Sequence, residues 1–259
     1  VNVPTSSSTS SFLSVSYSSE FNVVATAQPS TGSTILRSVD NGLTWVSSTY
    51  SGGTFGFIYD ITSGTIGGTT YFLGIDDGGI VYRSLDSGVT WTNVATVAMS
   101  GYGVSIGTNG NAYVAGSSWR VYMSTSASNY VTWTAKTPTG ITPSSNFYDI
   151  STYDGTKVIA VAYRGYIYYS SNAGTSWTKA SVGIPAITVI VYCVDHGSAD
   201  VAMVRTIYPP KTRTICIVLI LYSTQTLIYA GWRLRRLPRH HPGRRSHLDE
   251  RESLREHRG

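Results

Sequence analysis

The chain has 259 residues, enough for one large or two small domains, and only 13% of them are charged. It is rich in Gly (26) and Tyr (19), a composition typical of strands and tight turns rather than helices. The abundance of aromatic and β-branched residues excludes an intrinsically disordered chain.

Charge divides the sequence into two parts. Residues 1–184 carry seven basic and eight acidic residues, whereas residues 185–259 carry twelve basic and six acidic residues. The net charge of +5 therefore belongs to the last quarter of the chain. It does not favour a nucleic-acid partner for the first 184 residues.

Neither end of the chain suggests a targeting or metal-binding segment. The sequence opens at Val1 without a charged segment and an apolar run behind it, so we expect a mature or truncated product without a targeting signal. Cys193 and Cys216 lack both metal-ligand and redox spacing. We predict no metal and no cofactor.

An octet recurs along the chain with a period near 44 residues. SVDNGLTW (38–45) and SLDSGVTW (84–91) both fit Ser-x-Asp-x-Gly-x-Thr-Trp, and SSNAGTSW (170–177) is a variant. A fourth, degenerate copy runs from Ser124 to Trp133. The four tryptophans are separated by 46, 42 and 44 residues: Trp45, Trp91, Trp133 and Trp177.

Short strand-like segments precede each octet. In chain order they include GIVYRS (79–84), YGVSI (102–106), NAYVAG (111–116), RVYMS (120–124), FYDIS (147–151), VIAVAY (158–163) and YIYYS (166–170). Each period offers about four such strands, joined by turns of Gly, Asn, Asp and Ser, and residues 1–184 show no helical pattern. A four-stranded repeat of 40–45 residues is typical of a β-propeller blade.

The sequence therefore predicts an all-β fold, a partial β-propeller of four to five four-stranded blades in an incomplete ring. We place its boundaries at residues 1–204. Residues 205–259 form a basic C-terminal segment of uncertain structure.

Each position of the octet has an expected structural role in a hairpin turn. Gly permits a positive φ, Asp accepts hydrogen bonds from the turn, Ser and Thr hydroxyls bond the same turn, and Trp anchors it in the core. Asn172 can replace Asp in such a role, which a catalytic acid would not allow. The residues assigned to these roles are Ser38, Asp40, Gly42, Thr44, Trp45, Ser84, Asp86, Gly88, Thr90, Trp91, Trp133, Ser170, Asn172, Gly174 and Trp177.

These octets resemble the Asp-box, or bacterial neuraminidase repeat. That repeat occurs in sialidases, sortilin-type receptors, xyloglucan-active glycosidases and photosystem II assembly factors. The resemblance covers roughly residues 12–184 and implies a propeller whose boxes lie at peripheral turns, away from the central ligand face. It implies a fold strongly and a reaction hardly at all.

Residues 1–184 hold an incomplete set for sialidase chemistry. The arginines number four, of which Arg37 and Arg83 precede box serines and favour a structural role. Arg120 and Arg164 stay open as ligands or as exposed strand ends. Glu20 is the only glutamate of residues 1–184, and the family's Arg-Ile-Pro signature is absent.

Two aspartates are the candidates for a glycosidase pair. Asp60 and Asp149 follow Trp45 and Trp133 by 15 and 16 residues, inside YDI triplets expected to begin innermost strands. Two carboxylates across a sugar bond are the usual requirement, although a turn or strand-capping role is favoured for both. Aromatic residues near loop ends can stack on sugars or peptides, although packing is the commoner role: Tyr50, Tyr102, Trp119 and Tyr148.

The sequence after residue 204 leaves three interpretations open. It can be a basic tail for nucleic acid or anionic lipid, a marginal membrane span at residues 214–232, or translation in a shifted frame or from a gene-model error. The apolar run is interrupted at residues 223–226 and is shorter than the ~18 residues a span requires. The abrupt change of composition weighs as much for the third interpretation as for the other two together.

The leading functional hypothesis is a non-enzymatic repeat scaffold that binds protein or glycan partners, extracellular or otherwise extracytoplasmic. The alternative is a glycoside hydrolase, sialidase-like or glucan-active, whose catalytic set is incomplete in this chain. Neither nucleic acid nor a membrane is an expected partner.

Overall fold

The structure is a computed structural model that describes residues 11–18, 22–28, 33–139, 146–163, 166–180, 190–198, 201–208, 213–221 and 226–230. Within these ranges the strands form five sheets, and each sheet corresponds to one blade. Neighbouring strands in a blade are antiparallel and follow chain order, except where one extra strand joins the second blade in parallel.

The strands of the first two blades differ in length. Blade 1 consists of β1 (Ser11–Tyr17), β2 (Val23–Gln28), β3 (Thr34–Ser38) and β4 (Val46–Ser47). Blade 2 consists of β6 (Ile58–Ile66), β7 (Thr69–Asp76), β8 (Ile80–Ser84) and β9 (Thr90–Thr96), with β5 (Thr49–Tyr50) added at its outer edge.

The three later blades repeat the same order. Blade 3 consists of β10 (Gly101–Ile106), β11 (Asn111–Gly116), β12 (Val121–Thr125) and β13 (Thr134–Ala135). Blade 4 consists of β14 (Phe147–Thr152), β15 (Val158–Ala162), β16 (Ile167–Ser170) and β17 (Thr178–Lys179). Blade 5 consists of β18 (Ile190–Ser198), β19 (Val201–Tyr208), β20 (Arg213–Leu221) and β21 (Thr226–Ala230).

The first strand of each blade contacts the first strand of the next, from β1 through β6, β10 and β14 to β18. These strands therefore surround a common axis, and the chain is a β-propeller, which confirms the predicted fold class. The only helical segments in the described ranges are two short 3-10 turns, Ser117–Trp119 and Ser126–Ser128.

The hydrophobic core lies between blades because each middle strand is buried on both faces. Along β11, Ala112 and Val114 pack against blade 2, while Tyr113 and Ala115 pack against blade 4. Side chains alternate between the two faces of a strand, so a near-continuous apolar run serves two interfaces. This is why NAYVAG reads as wholly apolar rather than alternating.

Every first strand carries a β-bulge at its beginning. The register shifts skip Leu13, Tyr59, Tyr102, Tyr148 and Tyr192 in blades 1 to 5. A bulge re-aims the side chain of the extra residue and locally bends the strand. The five bulged residues therefore lie at the same end of the propeller, which we call the tyrosine face.

The predicted boundary at residue 204 falls inside β19, and β20 and β21 continue the fifth sheet to Ala230. The segment weighed as a membrane span contains the strands Arg213–Leu221 and Thr226–Ala230. No helix in the described ranges is long and apolar enough to cross a membrane. Residues 231–259 lie outside the described residues.

Candidate functional site

The octets form turns between the third and fourth strands, at the end of the propeller opposite the tyrosine face. In the first box, the Ser38 hydroxyl donates to Asp40 at 2.7 Å and accepts from the Gly42 N–H at 2.8 Å. Asp40 accepts from both the N–H and the hydroxyl of Thr44, at 2.8 and 2.5 Å. The second box repeats all of these bonds between Ser84, Asp86, Gly88 and Thr90.

The turn bends through two consecutive residues with positive φ, Asn41 (59°) and Gly42 (82°) in the first box. The indole N–H of Trp45 closes it with a bond to the Gly42 carbonyl at 3.0 Å, as that of Trp91 does with Gly88 at 3.2 Å. Trp91 is fully buried, whereas Trp45, Trp133 and Trp177 are half-buried.

The two irregular boxes keep part of this geometry with other groups. Asn172 accepts from the Ser170 hydroxyl and the Ser176 N–H, both at 2.9 Å, and donates to the Ser176 hydroxyl at 2.9 Å. In the longer third box, Tyr130 takes the glycine position with φ 60° and is fully buried. No sequence signal marked Tyr130 for this position, which normally requires glycine.

Hydrogen bonding tunes the acidity of the box carboxylates. Bonds from Thr44 and Ser38 lower the pKa of Asp40 from 3.8 to about 2. Burial acts to raise the pKa of Asp86, but bonds from Thr90 and Ser84 outweigh it and the pKa is lowered. Both carboxylates are held ionised, which suits acceptors and not proton donors.

Asp60 lies one residue after the bulge of β6 and links three blades. Its carboxylate accepts from the Ser14 hydroxyl of blade 1 at 2.7 Å and the Ile61 N–H at 2.9 Å. It also accepts from the Val104 N–H of blade 3 at 2.8 Å. The residue keeps some solvent access but protein surrounds its carboxylate, and burial raises its pKa to about 6 against the opposing effect of these bonds.

Asp149 has the equivalent place in blade 4. It accepts from the Ile150 N–H at 2.7 Å and from the Val194 N–H of blade 5 at 2.8 Å. Each aspartate thus joins its own first strand to that of the next blade. The predicted catalytic role of Asp60 and Asp149 stays a prediction.

Asp195, on β18 of blade 5, is the carboxylate whose charge further raises the pKa of Asp60. Asp195 is exposed, and its charge acts on Asp60 of blade 2 from the first strand of blade 5. Sequence reasoning did not select it. The sequence did contain a signal for it. YCVDHGS (192–198) aligns with YDISTYD (148–154) at the 44-residue period, and this alignment places Asp195 on an innermost strand.

The bulged tyrosines of blades 2, 3 and 4 form a continuous group at the tyrosine face. The Tyr59 and Tyr102 rings are 5.2 Å apart at 77°, and the Tyr102 and Tyr148 rings are 6.2 Å apart at 33°. Tyr59 is 37% exposed and the other two are half-buried. We call Tyr59, Tyr102 and Tyr148 the tyrosine arc, and the register places Tyr192 at the equivalent bulge of blade 5.

Of the aromatic residues singled out by sequence, the structure thus brings together Tyr102 and Tyr148, and it adds Tyr59. Trp119 is buried at 3% exposure and packs edge-to-face against Phe147. Tyr50 stacks on Phe55 at 4.9 Å. Neither lies in the arc.

Charged groups flank the arc on the same face. Asp77, in the turn between β7 and β8, is exposed and accepts from the Phe57 N–H at 3.3 Å. Burial, followed by the charges of Asp77 and Tyr102, raises the pKa of Tyr59. On the blade 3 side, the exposed Arg120 guanidinium donates to the Ala98 carbonyl.

Of the other arginines of residues 1–184, the structure places Arg83 away from the arc. Arg83 donates to the Asn129 carbonyl at 2.6 Å and so ties blade 2 to the box turn of blade 3. Arg164 lies outside the described residues. Among the described residues, no group of three or more His, Cys, Asp or Glu side chains could hold a metal ion.

No protein-family model and no curated protein sequence matches the chain. The structure of YCF48 bound to D1 peptide is 15% identical with a TM-score of 0.60, covering 92% of this chain and 83% of that chain. An ancestral GH74 enzyme is 12% identical with a TM-score of 0.61, covering 83% and 34%. The GH74 xyloglucanase from Xanthomonas campestris is 12% identical with a TM-score of 0.52, covering 78% and 35%.

At these identities the likeness shows the fold alone. The chain spans about a third of the length of the two GH74 enzymes. The class that fold and comparisons define is therefore the β-propeller.

Proposed function

We propose that the protein is an Asp-box propeller that works as a non-enzymatic scaffold and binds a protein partner through the tyrosine face. The observation that carries this proposal is the tyrosine arc, a group of partly exposed aromatic rings contributed by three successive blades. Tyrosines supply large contact area at low conformational cost, which is why they are enriched at binding surfaces. The structure of YCF48 with D1 peptide supports a peptide ligand for a propeller of this shape.

The box turns support the Asp-box assignment and leave the tyrosine face free for binding. Their serine, aspartate and threonine groups bond each other inside the turn. These groups are occupied in a structural role at the far end of the blades. A ligand at the tyrosine face would not compete for them.

The second candidate function is glycoside hydrolysis at the axis. It is favoured by the raised pKa of Asp60, about 6, and by the second carboxylate of Asp195, since a glycosidase needs an acid that holds its proton near neutral pH. Against it, the Asp60 oxygens already accept three hydrogen bonds from protein groups. We place this activity second.

A peptide-display library panned on the full chain tests the leading proposal, with counter-selection against Tyr102→Leu. We expect enriched peptides that lose binding to the variant. In parallel, the full chain is assayed on xyloglucan, β-glucan and sialyl substrates together with Asp60→Asn and Asp149→Asn. Hydrolysis abolished by either substitution, without peptide enrichment, would establish the enzyme and overturn the scaffold.

An extracytoplasmic location is part of the proposal and rests on the Asp-box resemblance. Fractionation of the source cells, followed by immunoblotting, checks it directly. Recovery only in the cytoplasmic fraction would contradict it.

A further inference from the structure

We infer that the tyrosine arc recognises a peptide segment through its arginine or lysine side chains, held over the tyrosine rings beside Asp77. This inference rests on the proposed function and names the chemistry of the partner. Three features of the tyrosine face support it: the available rings, their mutual angles and the surrounding charges.

The rings have polar and aromatic groups to offer a ligand. Tyr59 is 37% exposed, and Tyr102 is half-buried. Within the described residues, the hydroxyls of Tyr59 and Tyr102 make no hydrogen bond. A phenol that has no protein partner can donate to a peptide carbonyl while its ring contacts an aliphatic or guanidinium group.

The ring angles suit a cation better than a sugar. The planes of Tyr59 and Tyr102 are 77° apart, so the pair forms no continuous flat surface on which an extended sugar chain could stack. An edge-to-face pair offers the face of one ring and the edge of the next. A guanidinium or ammonium group needs only one ring face within about 6 Å.

The negative charge of Asp77 beside Tyr59 is complementary to a cation. Asp77 lies close enough to Tyr59 to raise its pKa, and its carboxylate accepts from the Phe57 N–H two residues before Tyr59. In the described part of the chain Asp77 has no ion-pair partner. A cation over Tyr59 would gain both the ring quadrupole and the exposed Asp77 carboxylate.

Two described cations contact groups outside the arc. Arg120 donates to the Ala98 carbonyl, and the Lys179 ammonium lies 3.6 Å above the Tyr166 ring centroid. The Lys179 contact shows the same cation–tyrosine chemistry in this chain, at the outer rim. Within the described residues no lysine or arginine lies over the Tyr59 or Tyr102 ring, so a cation held there would come from the ligand.

Fluorescence anisotropy with two labelled octapeptides tests the inference. One peptide carries two arginines in a Gly/Ser background, and the other carries citrulline in their place, which keeps the shape and removes the charge. We expect the full chain to bind the arginine peptide at least about fivefold tighter at low salt, and the preference to shrink at high salt. Equal binding of the two peptides would overturn the inference.

Three variants locate the effect. Tyr102→Leu removes a central ring, and Asp77→Asn removes an exposed charge while keeping an acceptor for Phe57, so both should weaken arginine-peptide binding. Tyr153→Leu is the matched control, since Tyr153 is 43% exposed at the opposite end of blade 4. Circular dichroism verifies that each variant is folded.

The outcomes separate this inference from the proposed function. Library-selected peptides that need Tyr102 but carry no basic residue would overturn the cationic chemistry and leave the scaffold intact. Competition of the arginine peptide by a cello-oligosaccharide, lost in Tyr102→Leu, would identify a carbohydrate site and overturn the inference. Unchanged binding in Tyr102→Leu or in Asp77→Asn would contradict the assigned position.

Discussion

The residue-scale chemistry of the box turns explains why the octet tolerates some exchanges. Asp40 accepts bonds from two Thr44 groups, and Asn172 achieves the same contacts by accepting one and donating the other. The exchange is possible because the hydroxyl at the Thr position can donate to a carboxylate or accept from an amide, so the turn needs hydrogen-bond partners at fixed positions rather than an acid. Sequence reasoning reached this conclusion from Asn172 alone.

Substitution of Asp40 tests the turn directly. Asp40→Ala leaves the Thr44 N–H and the Ser38 hydroxyl without their partner, and we expect the melting temperature to fall by a few degrees. The melting temperature of Asp40→Asn, the matched control, should fall less because the new amide can make the same hydrogen bonds as Asn172. Differential scanning calorimetry measures both, and an unchanged melting temperature in Asp40→Ala would contradict the role.

The pH dependence of the box has a definite sign. The Asp40 pKa is lowered to about 2 from 3.8, so its stabilising effect is present above pH 4 and disappears as the pH falls towards 2. Thermal denaturation between pH 2 and pH 5 should show this loss in the parent chain and a smaller one in Asp40→Asn. Identical pH profiles of the parent and Asp40→Asn would contradict the role of the ionised Asp40 carboxylate.

The contribution of Asp60 to stability has the opposite pH dependence, because burial raises the pKa of Asp60 to about 6. Its protonated form is favoured by folding, so its contribution is fully present below pH 4 and is lost as the pH rises through 6. The melting temperature of the parent minus that of Asp60→Asn should therefore decrease from pH 4 to pH 7. Asp86→Asn is the control. Because the pKa of Asp86 is lowered, the melting temperature of the parent minus that of Asp86→Asn should not decrease over this pH range.

At the scale of elements, the bulges and the aspartates after them determine how blades meet. Asp60 and Asp149 bond the Val104 and Val194 N–H groups of the next first strands. Between them, Gly103 allows β10 to approach β14, because a Cβ there would lie 2.7–2.9 Å from Asp149 and the Ile150 nitrogen. Close approach, and not a turn, requires this glycine.

Gly103→Ala should therefore destabilise the fold by about 1–3 kcal/mol, since backbone atoms of blade 4 would have to move. Gly78→Ala is the matched control, because its added Cβ would meet Asp76 at an ordinary 3.4 Å. Urea denaturation of both variants measures the free energies of unfolding. Equal values would show that blades 3 and 4 can separate without cost.

The sequence predicted the strands well because the periodic octets fixed their phase. The segments 111–116 and 147–151 match β11 and most of β14. It could not predict the bulges, because a one-residue register shift leaves no pattern in a single first strand. It also missed Asp195 and Tyr59 as partners, since both come close to their neighbours only through the arrangement of blades around the axis.

At the scale of the whole molecule, blade 1 differs from the other blades in the solvent exposure of its first strand. Val15 corresponds in register to Ile61, Val104, Ile150 and Val194, which are buried, yet it is 64% exposed. The difference follows from blade packing, because each of the others is covered by the preceding blade. The structure therefore presents the apolar face of β1 at one side of blade 1.

The origin of residues 205–259 also concerns the whole molecule. Strands β19 to β21 carry the blade order past residue 204, where the composition changes abruptly. Sequencing the transcript across codons 180–210 tests the proposed frame or gene-model error. An in-frame message that encodes this segment would contradict it.

The measurement that tests the central claim most directly is the affinity of a library-selected peptide for three full-length proteins: the parent, Tyr102→Leu and Tyr153→Leu. The account predicts that binding falls at least about fivefold in Tyr102→Leu and is unchanged in Tyr153→Leu. Equal affinity of the parent and Tyr102→Leu would contradict a peptide-binding tyrosine face.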